Sequence, residues 1–397
     1  MKYVIGLMAV LVFFCSCKGK NGKKSSASDS AVASYPAAST LTPAELNHYR
    51  TKAKDFFDSM FGRGNFNGSL LVAKNGEIIL EEYKGFRNPR IKKDSITPST
   101  SFHLASISKT ITGMAILKLA EQGKLSIDDS VSKYLAGFPC TGVTIKTLLN
   151  HRSGLPNYVH YMEEMGWDKR RIITNQDVLN FIIERHKDID IGTADRRFSY
   201  SNTNYALLAL VTEKASGQFF GDYLRQTFFE PLGMKDSYVF TPADSAKSLP
   251  SFFYNGRQYA FDFLDLVYGD KNIYSTVRDL LKWDQALHNG FFKKETLDAA
   301  YAGYSFERPG VNNYGLGWRM FLLGNGKKFI YHNGWWHGNR TAFYRLIDEN
   351  VTIIALCNND SKKVYSSKKL ADMFGNYFKN KDEAKETETT GGGSPTP

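Results

Sequence analysis

A chain of 397 residues, 42% hydrophobic and 23% charged, can bury a core in one large domain or in two or three smaller ones. That composition excludes a wholly disordered or low-complexity protein. The net charge of +11 invites a polyanionic partner. However, Lys18, Lys20, Lys23 and Lys24 fall in one polar segment and no aromatic-interleaved basic motif is present, so no nucleic-acid partner is expected.

In chain order, Lys2 precedes an apolar run from Val4 to Phe14, too short to span a bilayer and suited to a secretory signal. Residues 1–16 are read as a signal peptide. Phe14-Cys15-Ser16-Cys17 resembles a loose bacterial lipobox with Cys17 as the lipidated residue; the alternative is an ordinary signal peptide cleaved elsewhere. This predicts an exported lipoprotein of the bacterial cell envelope, periplasmic or outer-membrane-associated and held to the membrane through its lipid. Residues 17–40, rich in Lys, Gly, Ser and Ala, read as a flexible tether. Thr42-Pro43-Ala-Glu45 places a Thr N-cap, a Pro at N1 and a Glu at N3 at the start of a helix running to about Met60. Gly68 to Tyr83 reads as a β-hairpin turning at Asn75-Gly76.

The stretch Ser101 to Gly123 predicts a helix from about Ser106 to Gln122, closed by Gly123. Ile107, Ile111, Met114, Ile116, Leu117 and Leu119 make it apolar nearly all round, as buried helices are. Its first turn nevertheless carries Ser106 and Lys109 on one face. A buried lysine needs a partner, and beside a hydroxyl it can help remove the hydroxyl proton. Residues from about 127 to 287 are expected to be mostly helical, broken by Pro139, Pro156, Pro231, Pro242 and Pro250. Lys327 to His332, Arg340 to Ile347 and Val351 to Cys357 predict successive strands, and Ser361 to Phe378 a last helix. Residues 380–397 read as a disordered tail. Strands at both ends with helices between predict an α/β (α+β) fold. Its antiparallel sheet is built from the N- and C-terminal segments and flanked by helices, with a helical insertion at about 127–287 in a domain spanning 41–379.

Ser-x-x-Lys occurs three times. Ser130/Lys133 lies near a helix boundary after Asp128-Asp129, and Ser366/Lys369 on a polar helix start; both read as solvated. Only Ser106/Lys109 opens a long apolar helix, whose N-terminal N–H groups favour a developing anion. Tyr200-Ser-Asn202 precedes a second apolar helix, so both side chains sit at a helix start. A phenol can serve as a base there only if a neighbouring ammonium favours its anion; otherwise the segment is a polar helix cap. The third element is His332-Asn333-Gly334-Trp335 at the end of a strand, where Gly334 would let a substrate backbone approach the edge. The same triplet at His288-Asn-Gly290 reads as a helix terminator. Cys140 and Cys357 show no metal spacing, the eight histidines no zincin-like spacing, and neither a metal nor another cofactor is expected.

Ser-x-x-Lys, Tyr-x-Asn and His-x-Gly, in this order, together resemble the serine β-lactamase and penicillin-binding protein superfamily, in its class C-like branch of D,D-peptidases, esterases and amidases. Leu148-Leu-Asn-His-Arg-Ser-Gly-Leu-Pro156 and Ile273-Tyr-Ser-Thr276 resemble further landmarks of that branch. The resemblance covers residues 45–378. It implies Ser106 as nucleophile, Lys109 as neighbouring base or proton relay, and Tyr200 as second base. It further implies Asn202, His332, Asn333, Gly334 and Trp335 as substrate-binding positions, with the Ser106 and Trp335 N–H groups as oxyanion hole. His332 in place of lysine, Asn333 in place of threonine, and the Trp335-Trp336 pair argue against efficient β-lactam hydrolysis. The expected substrate is an ester, an amide or a peptidoglycan-type peptide. The alternatives are a true class C β-lactamase and a non-catalytic penicillin-binding sensor. The sequence does not speak to oligomeric state.

Overall fold

The structure, a computed structural model, describes residues 41–380, 382 and 385–387. The signal peptide 1–16, Cys17 and the tether to residue 40 lie outside the described residues. Among the described residues no helix is long and apolar enough to cross a membrane.

The hairpin strands Gly68–Lys74 and Glu77–Lys84 form as the Asn-Gly turn dictates, with Asn75 and Gly76 both at positive φ. They join the C-terminal strands in a seven-stranded antiparallel sheet. Its spatial order is Glu77–Lys84, Gly68–Lys74, Val351–Cys357, Asn339–Leu346, Lys328–Trp336, Arg319–Leu322 and Asn312–Tyr314. The seam between the two ends of the chain is the pairing of Gly68 with Cys357 through to Lys74 with Val351. Period-2 alternation sends Ile353, Ala355 and Cys357 to one core and Ile354 and Leu356 to the other. Burial on both faces explains why this strand reads as an unbroken apolar run.

Helix Pro43–Phe57 covers one face, opened by the anticipated Thr42/Glu45 capping box, together with the segment Lys362–Met373. That last segment is a 3₁₀ helix rather than the long α-helix expected. Residues 385–387 are helical and docked, not disordered: Glu386 accepts from the Val311 N–H at 3.0 Å, and Lys368 Nζ donates to the Thr387 carbonyl at 2.9 Å.

The opposite face carries the serine helix and the insertion. Leu71 and Ile354 of the sheet share one apolar core with Leu148 and Leu207 of the insertion. The insertion is less helical than expected. Its strands Tyr238–Val239 and Ile273–Ser275 form a small sheet with Phe102–His103, Ile273–Ser275 lying in the middle. Three strands of two or three residues are too short to leave a periodic signal, yet they fasten the segment that leads into the serine helix. Beneath the large sheet a fully buried ion pair, Arg345 with Asp284, is completed by Tyr301 and Thr352 hydroxyls. Cys140 and Cys357 are both free thiols.

Candidate active site

The serine helix starts as a 3₁₀ turn, Ala105–Ile107, and continues as the α-helix Ser108–Glu121. Ala105 has φ +49°, a left-handed conformation that is strained for alanine. Neighbouring elements hold it there. The Ala105 N–H donates to His103 Nδ1 at 3.0 Å, the Leu104 N–H to the Ile273 carbonyl at 2.8 Å, and Thr341 Oγ1 to the Leu104 carbonyl at 2.7 Å. Both sheets therefore pin the turn that presents Ser106.

Lys109 is fully buried. Its Nζ donates to Ser106 Oγ at 3.1 Å and to the Asp270 carbonyl at 2.8 Å. The carboxylate of Asp270 is engaged elsewhere, with Tyr158 Oη at 3.0 Å and Lys271 Nζ at 3.3 Å. Tyr200 stands immediately before helix Asn202–Ser216, whose N-cap is Ser201. Lys109 Nζ lies 5.1 Å from its ring centroid and the Arg319 guanidinium carbon 4.8 Å. His151, from the Leu148–Pro156 landmark, packs its ring 4.3 Å from that of Tyr200, and its Nδ1 accepts the Ser201 N–H at 3.2 Å. Ser106, Tyr200, Asn202 and Trp335 line one cavity of about 200 Å³ together with Asp262 and His337.

The third motif is arranged differently from expectation. His332 is fully buried and does not line that cavity. Its Nδ1–H donates to the Asn333 carbonyl at 2.7 Å and its Nε2 accepts from Tyr314 Oη at 3.2 Å. Burial, with the Arg319 and Lys109 charges behind it, holds its pKa well below the ordinary histidine value. It is a neutral prop 6.3 Å from the Tyr200 ring, not a cation for a substrate carboxylate. Asn333 points to the other face of the sheet, because alternate residues of a strand must; its partner there is Tyr344, in the core under helix Pro43–Phe57. Asn333 thus does not occupy the substrate-binding position assigned to it. Gly334 is required by the serine turn: a Cβ there would overlap Thr341 Oγ1 and the Leu104 carbonyl.

Other residues at the site went unnoticed in the sequence. His103 and His151 were visible only as members of longer motifs. Asp262, Asp265 and His337 had no local signal, since they meet only in three dimensions. Their ligand atoms lie within 4.8 Å of one another, making them the one set among the described residues with the spacing to hold a metal ion.

A buried lysine on a serine hydroxyl, with a tyrosine alongside and a strand at the serine turn, defines a serine-hydrolase type of site at the junction of a sheet and a helical insertion. The Beta-lactamase family model matches residues 54–373, and the chain belongs to that family, within the serine β-lactamase and penicillin-binding protein superfamily. A penicillin-binding protein of Bacillus subtilis is 31% identical over 336 residues, which cover 80% of this chain and 73% of that protein. Two solved structures share the fold. A penicillin-binding protein from Bacillus halodurans has a TM-score of 0.67 and 22% identity, covering 83% of this chain and 99% of that one. A D-amino acid amidase from Ochrobactrum anthropi has a TM-score of 0.66 and 20% identity, covering 86% and 99%.

Proposed function

We propose that the chain is a secreted, lipid-anchored serine hydrolase that forms an acyl-enzyme on Ser106 and hydrolyses an ester or amide, in the manner of a D,D-peptidase or esterase. The observation that carries the reading is the 3.1 Å hydrogen bond between Lys109 Nζ and Ser106 Oγ at a cavity that Tyr200 also lines. Ser106 Oγ adds to the substrate carbonyl carbon. Its proton leaves through the Lys109 and Tyr200 pair and returns to the departing alcohol or amine. Water then attacks the ester carbon, giving its proton to the same pair, and Ser106 Oγ recovers one as it leaves. The N–H groups of Ser106 and Trp335 are the assigned oxyanion donors; each such donor is typically worth about 10²–10³ in rate.

The test is intact-protein and peptide mass spectrometry after exposure to a fluorophosphonate and, separately, to a penicillin. One adduct is expected, on the peptide containing Ser106. An unlabelled protein with both reagents, or an adduct elsewhere, overturns the reading. The neutral, buried His332 supports a peptidase or esterase over a β-lactamase; rapid nitrocefin turnover would reverse that preference.

The anchor rests on the Phe14 to Cys17 motif and has its own test. Bacteria expressing the full chain and fed an alkynyl fatty acid are expected to yield a labelled protein, and Cys17→Ala an unlabelled one. Equal labelling of the two rejects Cys17 as the lipidation site.

A further inference from the structure

Asp262 lines the same cavity as Ser106, although it comes from a loop that none of the motifs includes. One of its oxygens is committed: Oδ1 accepts the Leu264 N–H at 2.8 Å. The other, Oδ2, lies 3.7 Å from His337 Nε2, beyond hydrogen-bond distance. His337 is instead turned to Asp265, at 3.0 Å, and Asp265 also accepts from Trp336 Nε1 at 2.7 Å. Asp262 is thus the carboxylate that lines the cavity, with one oxygen to spare, while Asp265, which does not line it, is occupied by its neighbours.

The cations nearby do not reach this wall as ligands. No lysine or arginine lines the cavity, whose only basic side chains are His160 and His337. Lys109 is spent on Ser106 and the Asp270 carbonyl, and Lys271 on Asp270 and Tyr158. His332 is neutral. A substrate carboxylate would therefore face Asp262 with no fixed countercharge, whereas a substrate ammonium would find an acceptor. At about 200 Å³ the cavity is smaller than the ~300–1,000 Å³ usual for drug-sized ligands, which suits one amino-acid residue.

We propose that Asp262 is a specificity-determining residue that selects substrates carrying a free ammonium next to the scissile carbonyl, that is, amino-acid esters or amides with an unblocked amine. The proposal rests on the acyl-enzyme reading of Ser106, and the two can fail separately. Fluorophosphonate labelling tests the serine. The charge preference is tested with three p-nitroanilides of one amino acid, in both enantiomers: free amine, N-acetyl and N-succinyl. kcat/KM is read near neutral pH in EDTA, which removes any divalent ion from Asp262, Asp265 and His337.

The free amine is expected to exceed N-acetyl at least tenfold, and N-succinyl to be poorest. Added salt should shrink the first ratio in the wild type, since screening weakens an ammonium–carboxylate contact. In Asp262→Asn the ratio should collapse toward one, and in Asp262→Glu part of it should return. A blocked substrate preferred over the free amine, no turnover of any of the three by a protein whose serine is labelled, or a preference that survives in Asp262→Asn overturns the proposal. A preference seen only when divalent metal is restored also overturns it. If the variants do not fold, the wild-type ratio and its salt dependence decide alone: a salt-independent ratio counts against an electrostatic contact. If Ser106 is not labelled at all, the underlying reading falls and the proposal with it.

Discussion

Ser106→Ala is expected to lower kcat/KM toward a reactive ester by at least about 10³ while leaving the fold intact. The side chain removed is small, and the Lys109 ammonium keeps its hydrogen bond to the Asp270 carbonyl, so the buried cation is not orphaned. A change in stability within about 1 kcal/mol follows from that local geometry. Lys109→Ala and Tyr200→Phe should each cost activity too, and combining either with Ser106→Ala should cost little more, because groups acting on one proton are strongly non-additive. Esterase assays on the wild type, the three single variants and the two double variants, with urea unfolding as a control, measure this. Activity of Ser106→Ala within tenfold of wild type, in a folded protein, would remove Ser106 from the mechanism.

Stability is expected to fall by at least about 5 kcal/mol between pH 7 and pH 4.5. His103 and His288 have their pKa values pushed down to about 4, chiefly by burial. Below the ordinary value of about 6.5 the unfolded chain takes up those protons and the folded chain does not until about 4. The unfolded state thus binds more protons across the window, so their contribution is full above pH 6.5 and is lost as pH falls. Between pH 7 and pH 4.5 each accounts for roughly 2.5 kcal/mol. His151 and His332, pushed well below the usual value by burial and by the Lys109 and Arg319 charges, act in the same direction.

Hydrogen bonding supports the same sign. His103 accepts the Ala105 N–H on Nδ1 and uses Nε2 toward Asn272 Oδ1 at 2.8 Å, so protonating Nδ1 sets two donors against each other. That clash lies one residue from Ser106, so acid should weaken activity along with stability. Urea midpoints and m-values at half-unit pH steps measure the effect; a flat profile from 7 to 4.5 would show that these histidines titrate normally in the folded chain.

Much of the architecture was legible in local sequence. The Thr42/Glu45 cap, the Asn-Gly hairpin, the Gly123 stop and the apolar run Val351 to Cys357 each fix their element through contacts a few residues long. Ser106 and Lys109 were legible as a pair because a helix places residues three apart on one face. Illegible were the elements whose reason lies elsewhere in the chain. The strands Asn312–Tyr314 and Arg319–Leu322 and the small sheet around Ile273–Ser275 are too short to carry a period of their own. The last helix took a 3₁₀ form, and part of the tail docked through Glu386.

Within the site, the sequence by itself placed Ser106 beside Lys109 and set Tyr200 and Asn202 at a helix start, because each pair is fixed by spacing along one short segment. Only the tertiary structure decided what surrounds them. Strand alternation turned Asn333 away from the cavity. The close approach of the serine turn requires a glycine at position 334. Burial made His332 a neutral prop, and a loop from the insertion set Asp262 in the same cavity as Ser106. Each of these depends on which distant segment lies across the cavity, and the large sheet settles that by pairing strands from the two ends of the chain.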